Sequence, residues 1–318
     1  MSIIIWGILL VCVSIGSMFV GVADLDLTEI LSWSETEWEL FLMSRIPRLL
    51  SILLAGAGMS IAGLIMQQIT QNRFVSPTTA GTMDFAKLGI VVSMIGFSDA
   101  HPLIKMLISF GFAFGGSLLF MRILERIKMK DVIFIPLVGL MLGSIVGALT
   151  TFLALRFNLL QSLEGWMQGN FSMITKGRYE LLYITVPLLF VAYRYAHRFT
   201  IVGMGEEFSQ NLGISHKRVM QLGLAIVSLI ASAVILSVGV IPFLGLIVPN
   251  LISIWYGDHL RKTLPLTALF GALFVLVCDI AGRLLIAPYE IPISLMVGTI
   301  GSGLFLYLLF RRDRYGLS

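Results

Sequence analysis

Ten apolar runs, at roughly 3–22, 49–68, 78–97, 103–124, 132–154, 179–196, 219–240, 242–256, 264–285 and 291–310, leave this chain little choice of architecture. A helix rising about 1.5 Å per residue needs about 20 apolar residues to cross the hydrocarbon core of a bilayer. Backbone groups in lipid must be satisfied within the chain, so runs of this length become helices. The predicted fold is all-α and polytopic, with about ten transmembrane helices in one domain over residues 1–318. Charged residues make up 13% of the chain, about half the share of a soluble domain, and no polar block could hold a second folded unit. The eighth run is the exception. With about 15 residues it reaches only ~22 Å, and it contains Pro242 and Pro249. It is expected to be a short embedded helix or a broken one, its freed backbone groups satisfied by other protein.

Lys and Arg set the orientation. With the N-terminus inside, fourteen of the 22 fall on the cytoplasmic side, among them Arg73, Arg122, Lys128, Lys130, Arg261 and the terminal Arg311, Arg312 and Arg314. Seven lie outside: Arg45, Arg48, Lys105, Arg156, Lys176, Arg178 and Arg283. The pattern predicts N-in and C-in. No basic residue precedes Arg45, so the first run is expected to be retained as a span, not removed as a signal peptide. Runs 2–5 start outside and runs 7–10 start inside, which suits an inverted repeat.

One stretch, 199–218, is polar among the spans, and the charge pattern places it in the cytoplasm. Glu206 and Glu207 open a predicted helix that Gly213 ends. Met204, Phe208 and Leu212 recur at i, i+4, i+8 and give it one apolar edge.

The remaining candidates carry a functional and a plain reading each. Arg45 and Arg48, one turn apart around Pro47, and Arg283 sit on the outer side, where the charge rule disfavours them. Guanidiniums so placed can dock carboxylates of an external partner, anchor lipid headgroups, or pair with the acidic first outer loop (Asp24, Asp26, Glu29, Glu35, Glu37, Glu39). Asp279–Arg283 and Asp84–Lys87 are spaced to pair within helices; such pairs are structural, or serve a proton relay. Gly139, Gly143 and Gly147 form one small-residue face, Gly56, Ser60 and Gly63 offer another on the second run, and Gly298, Gly301 and Gly303 mark the last run. They serve helix packing within the chain, or a second subunit or a smooth path. The amide-rich segment from Gln67 to Pro77 is a gate lining or a solvated turn. Trp166, Tyr179, Trp255, Tyr256 and Tyr289 read as interface-belt residues. Cys12 and Cys278 lie in apolar runs and the four His are scattered, so neither type suggests a disulfide framework or metal site. There is no GxxxxGK[ST], HExxH or GxSxG motif, so the chain does not hydrolyse ATP itself and has no hydrolase site.

An ordered set of motifs resembles the FecCD family, the permease subunits of bacterial ABC importers for iron-siderophores, haem and vitamin B12. The set runs from Arg45-Ile-Pro-Arg48 through Gln67, Asn72 and Pro77 to Gly203-Met-Gly-Glu-Glu-Phe-Ser-Gln-Asn-Leu-Gly213. It continues with Pro242-Phe-Leu-Gly-Leu-Ile-Val-Pro249, Leu264-Pro265, Asp279-Ile-Ala-Gly-Arg283 and Glu290-Ile-Pro292. The segment Val75 to Gly89 resembles the petrobactin/catecholate-type subset. Departures are Asn250 and Ser253, where the family often has His and Arg, Arg73 within its usual Asn-Pro-Leu, and Tyr289 where some members have Arg.

The resemblance implies a non-enzymatic permease in the bacterial cell membrane, with ten spans per subunit and two permeases, commonly different homologues, around a central path. A cytoplasmic ABC ATPase dimer would bind 203–213, with Gly203, Met204, Gly205, Glu206, Glu207, Phe208, Leu212 and Gly213 as coupling residues. An extracytoplasmic binding protein would dock through glutamates on Arg45, Arg48 and Arg283. Spans 5 and 10, with Gly139, Gly143, Gly147, Gly298 and Gly301, would face the path or the second subunit. No catalytic residue, metal ligand, cofactor or nucleic acid is implied. The rival reading is a proton-coupled secondary transporter using Asp84 or Asp279.

Overall fold

The structure, a computed structural model, describes residues 2–20, 35–127, 134–174, 177 and 179–311. Three acids of the acidic segment before Arg45, Asp24, Asp26 and Glu29, lie outside that set, as do Lys128, Lys130, Lys176, Arg178, Arg312 and Arg314.

Each of the ten apolar runs contains a helix: α1 (Ser2–Phe19), α3 (Ile46–Ile69), α4 (Thr82–Gly96), α5 (Pro102–Arg126), α6 (Phe134–Arg156), α8 (Thr185–Val202), α10 (His216–Ser237), α11 (Leu244–Tyr256), α12 (Leu260–Leu284) and α13 (Ile293–Arg311). Three shorter helices join them: α2 (Glu35–Leu40), α7 (Leu160–Met167) and α9 (Glu206–Asn211). A π-helical turn, Phe41–Arg45, runs α2 into α3. Among the described residues, five helical stretches are long and apolar enough to cross a membrane: 41–69, 102–126, 134–156, 216–237 and 260–284. The chain is membrane-embedded and all-helical.

α3 is the central post, buried along most of its length, with α10 beside it. The packing is reciprocal. α3, first of the group α3–α6, lies against α12 and α11; α10, first of the group α10–α13, lies against α5 and α4. Small residues permit the closest approaches. A Cβ on Gly63 would overlap the backbone of Gly245 on α11, and one on Gly56 would come 2.8 Å from Ala272 Cα on α12. Gly63→Ala is therefore expected to lower the midpoint of thermal unfolding in detergent, at an overpacking cost of about 1–3 kcal/mol. Gly147→Ala, where a Cβ meets nothing within 4 Å, should leave the midpoint unchanged. Buried hydroxyls add polar glue: Thr82 Oγ1 lies 2.8 Å from Ser117 Oγ, which lies 3.5 Å from Ser228 Oγ, linking α4, α5 and α10.

The eighth run is a short helix of 13 residues, α11, with Pro249 inside it. Proline lacks an N–H and so orphans the carbonyl four residues back, here Gly245 O. The Gln67 side-chain amide approaches Gly245 O at 3.5 Å and Leu246 O at 3.4 Å. Asn250 Nδ2 donates to Leu246 O at 2.7 Å and to Arg73 O at 2.9 Å. Gln67, Thr70, Asn72 and Ser76 are buried. The segment after α3 is thus folded into the protein, which corrects the reading of it as a solvated turn. Arg73 pairs with Asp258 at 2.6 Å, and Ser253 Oγ also donates to Asp258.

Candidate functional sites at the two ends of the bundle

At one end of the bundle, α1, α3 and α12 meet around a charged knot. Arg48 Nη2 lies 2.8 Å from Asp279 Oδ1, and Arg48 Nη1 lies 2.9 Å from both carboxylate oxygens of Glu290. Arg283 Nη2 lies 2.8 Å from Asp279 Oδ2. Asp279 is therefore shared by two guanidiniums. Arg283 also donates to Ser17 O at 3.0 Å and to Ser17 Oγ at 2.7 Å. Both Arg45 and Arg283 donate to Val20 O, just past the end of α1. α1 has no basic residue in its own last turn, so cations from α3 and α12 satisfy its terminal carbonyls.

The three arginines singled out in the sequence do converge, but on partners inside this chain. The side chain of Arg283 is 2% exposed and that of Arg48 12%; Arg45 is buried as well. Of the readings open to them, internal pairing is the one their burial requires of the isolated chain, since each charge takes a partner within it. The spacing predicted the Asp279–Arg283 pair. It could not predict Arg48–Asp279 or Arg48–Glu290, whose members lie more than 200 residues apart.

Asp84 and Lys87 lie 3.4 Å apart on α4. A Cβ on Gly143 of α6 would meet Asp84 Oδ2 at 2.5 Å, and one on Gly139 would overlap Thr79 O. One on Gly301 would lie 2.8 Å from Ile247 Cδ1, and one on Gly298 3.4 Å from Pro242 Cγ. These four glycines have close neighbours within the chain, as the packing reading of them expects. Gly147 alone of the five candidates keeps open space, on a helix whose outer face exposes Leu137, Met141, Ile145 and Phe152.

At the other end lies the 199–218 segment. α9 begins at Glu206, and Gly213, at φ 71°, follows its end. Met204, Phe208 and Leu212 are 59%, 46% and 55% exposed, and Glu206 and Glu207 stand in solvent beside them. An apolar edge left in water next to two carboxylates has the composition of a contact surface. Ser209 anchors the opposite face. It is fully buried, donates to Gly205 O at 2.7 Å, and lies 3.3 Å from His216 Nδ1. Gly205, at φ 113°, permits the turn into α9. The underside rests on the end of α3: a Cβ on Gly203 would overlap Gln68 Oε1, and one on Gly205 would come 3.7 Å from Gln71 Nε2. Sequence reasoning missed Ser209, whose role depends on a face that only packing reveals.

Known proteins match the chain over nearly its whole length. The petrobactin import system permease protein YclN of Bacillus subtilis is 58% identical over 308 residues, 97% of this chain and 98% of that protein. The ferric-anguibactin transport system permease protein FatD of Vibrio anguillarum is 39% identical, over 93% of this chain and 94% of that protein. Among solved structures, a protein described as a metal-chelate type ABC transporter, in an inward-facing conformation, superposes with a TM-score of 0.83 at 23% identity. That match covers 97% of this chain and 98% of the other, and it shows a shared fold. The profile of the FecCD transport family matches residues 8–311. With a family match of this extent and relatives this close, the chain belongs to the FecCD transport family and is a transport permease, not an enzyme.

Proposed function

We propose that this chain is one permease subunit of an ABC importer that carries a ferric siderophore, of the petrobactin or related catecholate or mixed type, into the cytoplasm. The observation that carries the reading is the 58% identity, end to end, with a petrobactin import permease. In this reading the helices of the ten apolar runs, the short α11 included, are ten spans of a bacterial inner-membrane protein, N-in and C-in, and the charge asymmetry supports that orientation. The groups α3–α6 and α10–α13 form an inverted repeat. Their reciprocal packing supports this, with the first helix of each group against the second and third helices of the other.

A cytoplasmic ATPase dimer binds α9. The exposed Met204–Phe208–Leu212 edge supports the site, and the missing phosphate loop makes a second chain necessary. A second, homologous permease pairs with this one. An extracytoplasmic binding protein docks on the cluster that Arg45, Arg48 and Arg283 build, with Arg48 as the member that meets it and Arg45 and Arg283 holding the cluster to α1. ATP binding closes the ATPase dimer and draws the coupling segments together. That movement passes through Gln68 and Gln71 to the end of α3 and toggles the path between outward and inward access. A large chelate is released best from a path that binds it weakly, so affinity resides in the binding protein. The paired states of Asp84 and Asp279 favour this over a proton relay, because each acid is held by a base.

The test is co-purification. The chain should isolate with an ABC ATPase and a second permease, and binding protein loaded with ferric petrobactin should stimulate ATP hydrolysis by that assembly. Isolation of the chain alone, with full uptake activity after reconstitution, would refute the reading.

A further inference from the structure

Arg48 is already holding a carboxylate, and that carboxylate is the one at the rim. Glu290 lies in the segment between α12 and α13, outside any helix, with its side chain 22% exposed. Asp279, the other partner of Arg48, is 4% exposed and stays bonded to Arg283 whatever Glu290 does. Removing Glu290 would therefore leave Arg48 paired with Asp279, whereas removing Asp279 would leave Arg48 with Glu290 but take from Arg283 the carboxylate it pairs with. Arg283 and Arg45 are bound to the carbonyl end of α1 and could not turn outward without uncapping it. The exchangeable bond in the cluster is Arg48–Glu290.

We propose that Glu290 is an internal stand-in for an acidic side chain of the docking protein, and that docking proceeds by carboxylate exchange at Arg48. The inference rests on the docking reading given above and deepens it. The geometry a partner carboxylate needs is prebuilt: Arg48 Nη1 sits equidistant, 2.9 Å, from both oxygens of Glu290. Exchanging one carboxylate for another is close to balanced in energy, so Glu290 sets the fraction of time that Arg48 can receive a partner.

The exchange also has somewhere to go. Ile291, next to Glu290, donates its N–H to Gly282 O at 3.1 Å, and Ser294 in the first turn of α13 donates to Gly169 O at 3.3 Å. Gly169 follows α7, and Gln168 beside it bridges to Val240 between α10 and α11. Release of Glu290 loosens the segment that holds the first turn of α13 to Gly169, in the stretch that follows α7. Docking is thereby reported to the outer mouth without any contact between the partner and those helices.

The experiment uses the full importer in lipid nanodiscs, with binding protein loaded with ferric petrobactin as the probe. Glu290→Gln, which keeps the shape and removes the charge, is expected to tighten docking roughly tenfold, the gain from freeing an Arg48 occupied about nine-tenths of the time. It should also speed amide exchange at 289–291. Glu290→Asp, which keeps the charge, should fall between the two. On an Arg48→Ala background the Glu290→Gln gain should vanish, since the two residues act through one bond. Docking that is weakened by Arg48→Ala but unchanged or weakened by Glu290→Gln overturns the exchange and leaves the docking reading standing. Docking unaffected by Arg48→Ala overturns both.

Discussion

Phe208→Asp is expected to abolish ATP-driven uptake while leaving the chain folded in its membrane. Phe208 is the middle member of the exposed edge and makes no part of the core. Folding stability should therefore not register the change, and thermal unfolding of the isolated chain should be unaltered. The proposed ATPase interface should register it strongly. Burying an aromatic side chain is worth about 1.5–3 kcal/mol, and a carboxylate in its place adds an unpaired charge to an apolar contact. Loss at a central anchor of about 2–4 kcal/mol corresponds to roughly 30- to 1,000-fold weaker association. Co-purification of the ATPase is the direct readout. Reversal of Glu206 and Glu207 to Lys is expected to have a smaller effect that fades with added salt, because both carboxylates stand in solvent. Comparing the two variants apportions the grip of α9 between its apolar edge and its charges.

Asp279→Ala carries the other large expectation, and it acts on stability. The carboxylate is shared by Arg48 and Arg283, and its removal leaves both guanidiniums buried without it. Breaking a buried ion pair by deleting one partner costs about 3–5 kcal/mol. A marked fall in the midpoint of thermal unfolding in detergent is expected, and an unchanged midpoint would contradict the proposed role of the knot. Asp279→Asn, which keeps the shape, should recover part of the loss. Glu290→Gln, at the rim, should shift the midpoint little.

The contrast between these two sites shows what a sequence can carry. α9 was legible because its signal is local. Two glutamates, an apolar period and a terminating glycine lie within eleven residues, and a helix forms there at Glu206–Asn211, shorter than the period, with Met204 and Leu212 just beyond its ends. The short eighth helix was legible for the same reason, since Pro249 and the length of the run are local facts. Arg45, Arg48 and Arg283 were legible as a set but not in their environment. Their burial depends on Asp279, Glu290 and the end of α1, far away in sequence. The glycine faces were legible as close-packing surfaces, but periodicity does not name the neighbour. Gly143 turned out to make room for Asp84, and Gly63 for Gly245. Trp166 shows the same limit. Placed at a helix end, it reads as a membrane-interface residue, yet its indole N–H donates to Leu236 O at 2.9 Å and ties α7 to α10. The departures at Asn250 and Ser253 also gain meaning only in space, where they bind Arg73 O and Asp258.

The central claim is that transport through this chain is driven from α9 by a partner ATPase. The most direct measurement is uptake of radio-iron petrobactin into proteoliposomes that contain the full importer and external binding protein. ATP inside the vesicles is varied independently of the proton gradient. Uptake should require ATP hydrolysis, persist when a protonophore collapses the gradient, and disappear in the Phe208→Asp variant. Uptake that continues without ATP and stops with the protonophore would contradict the account.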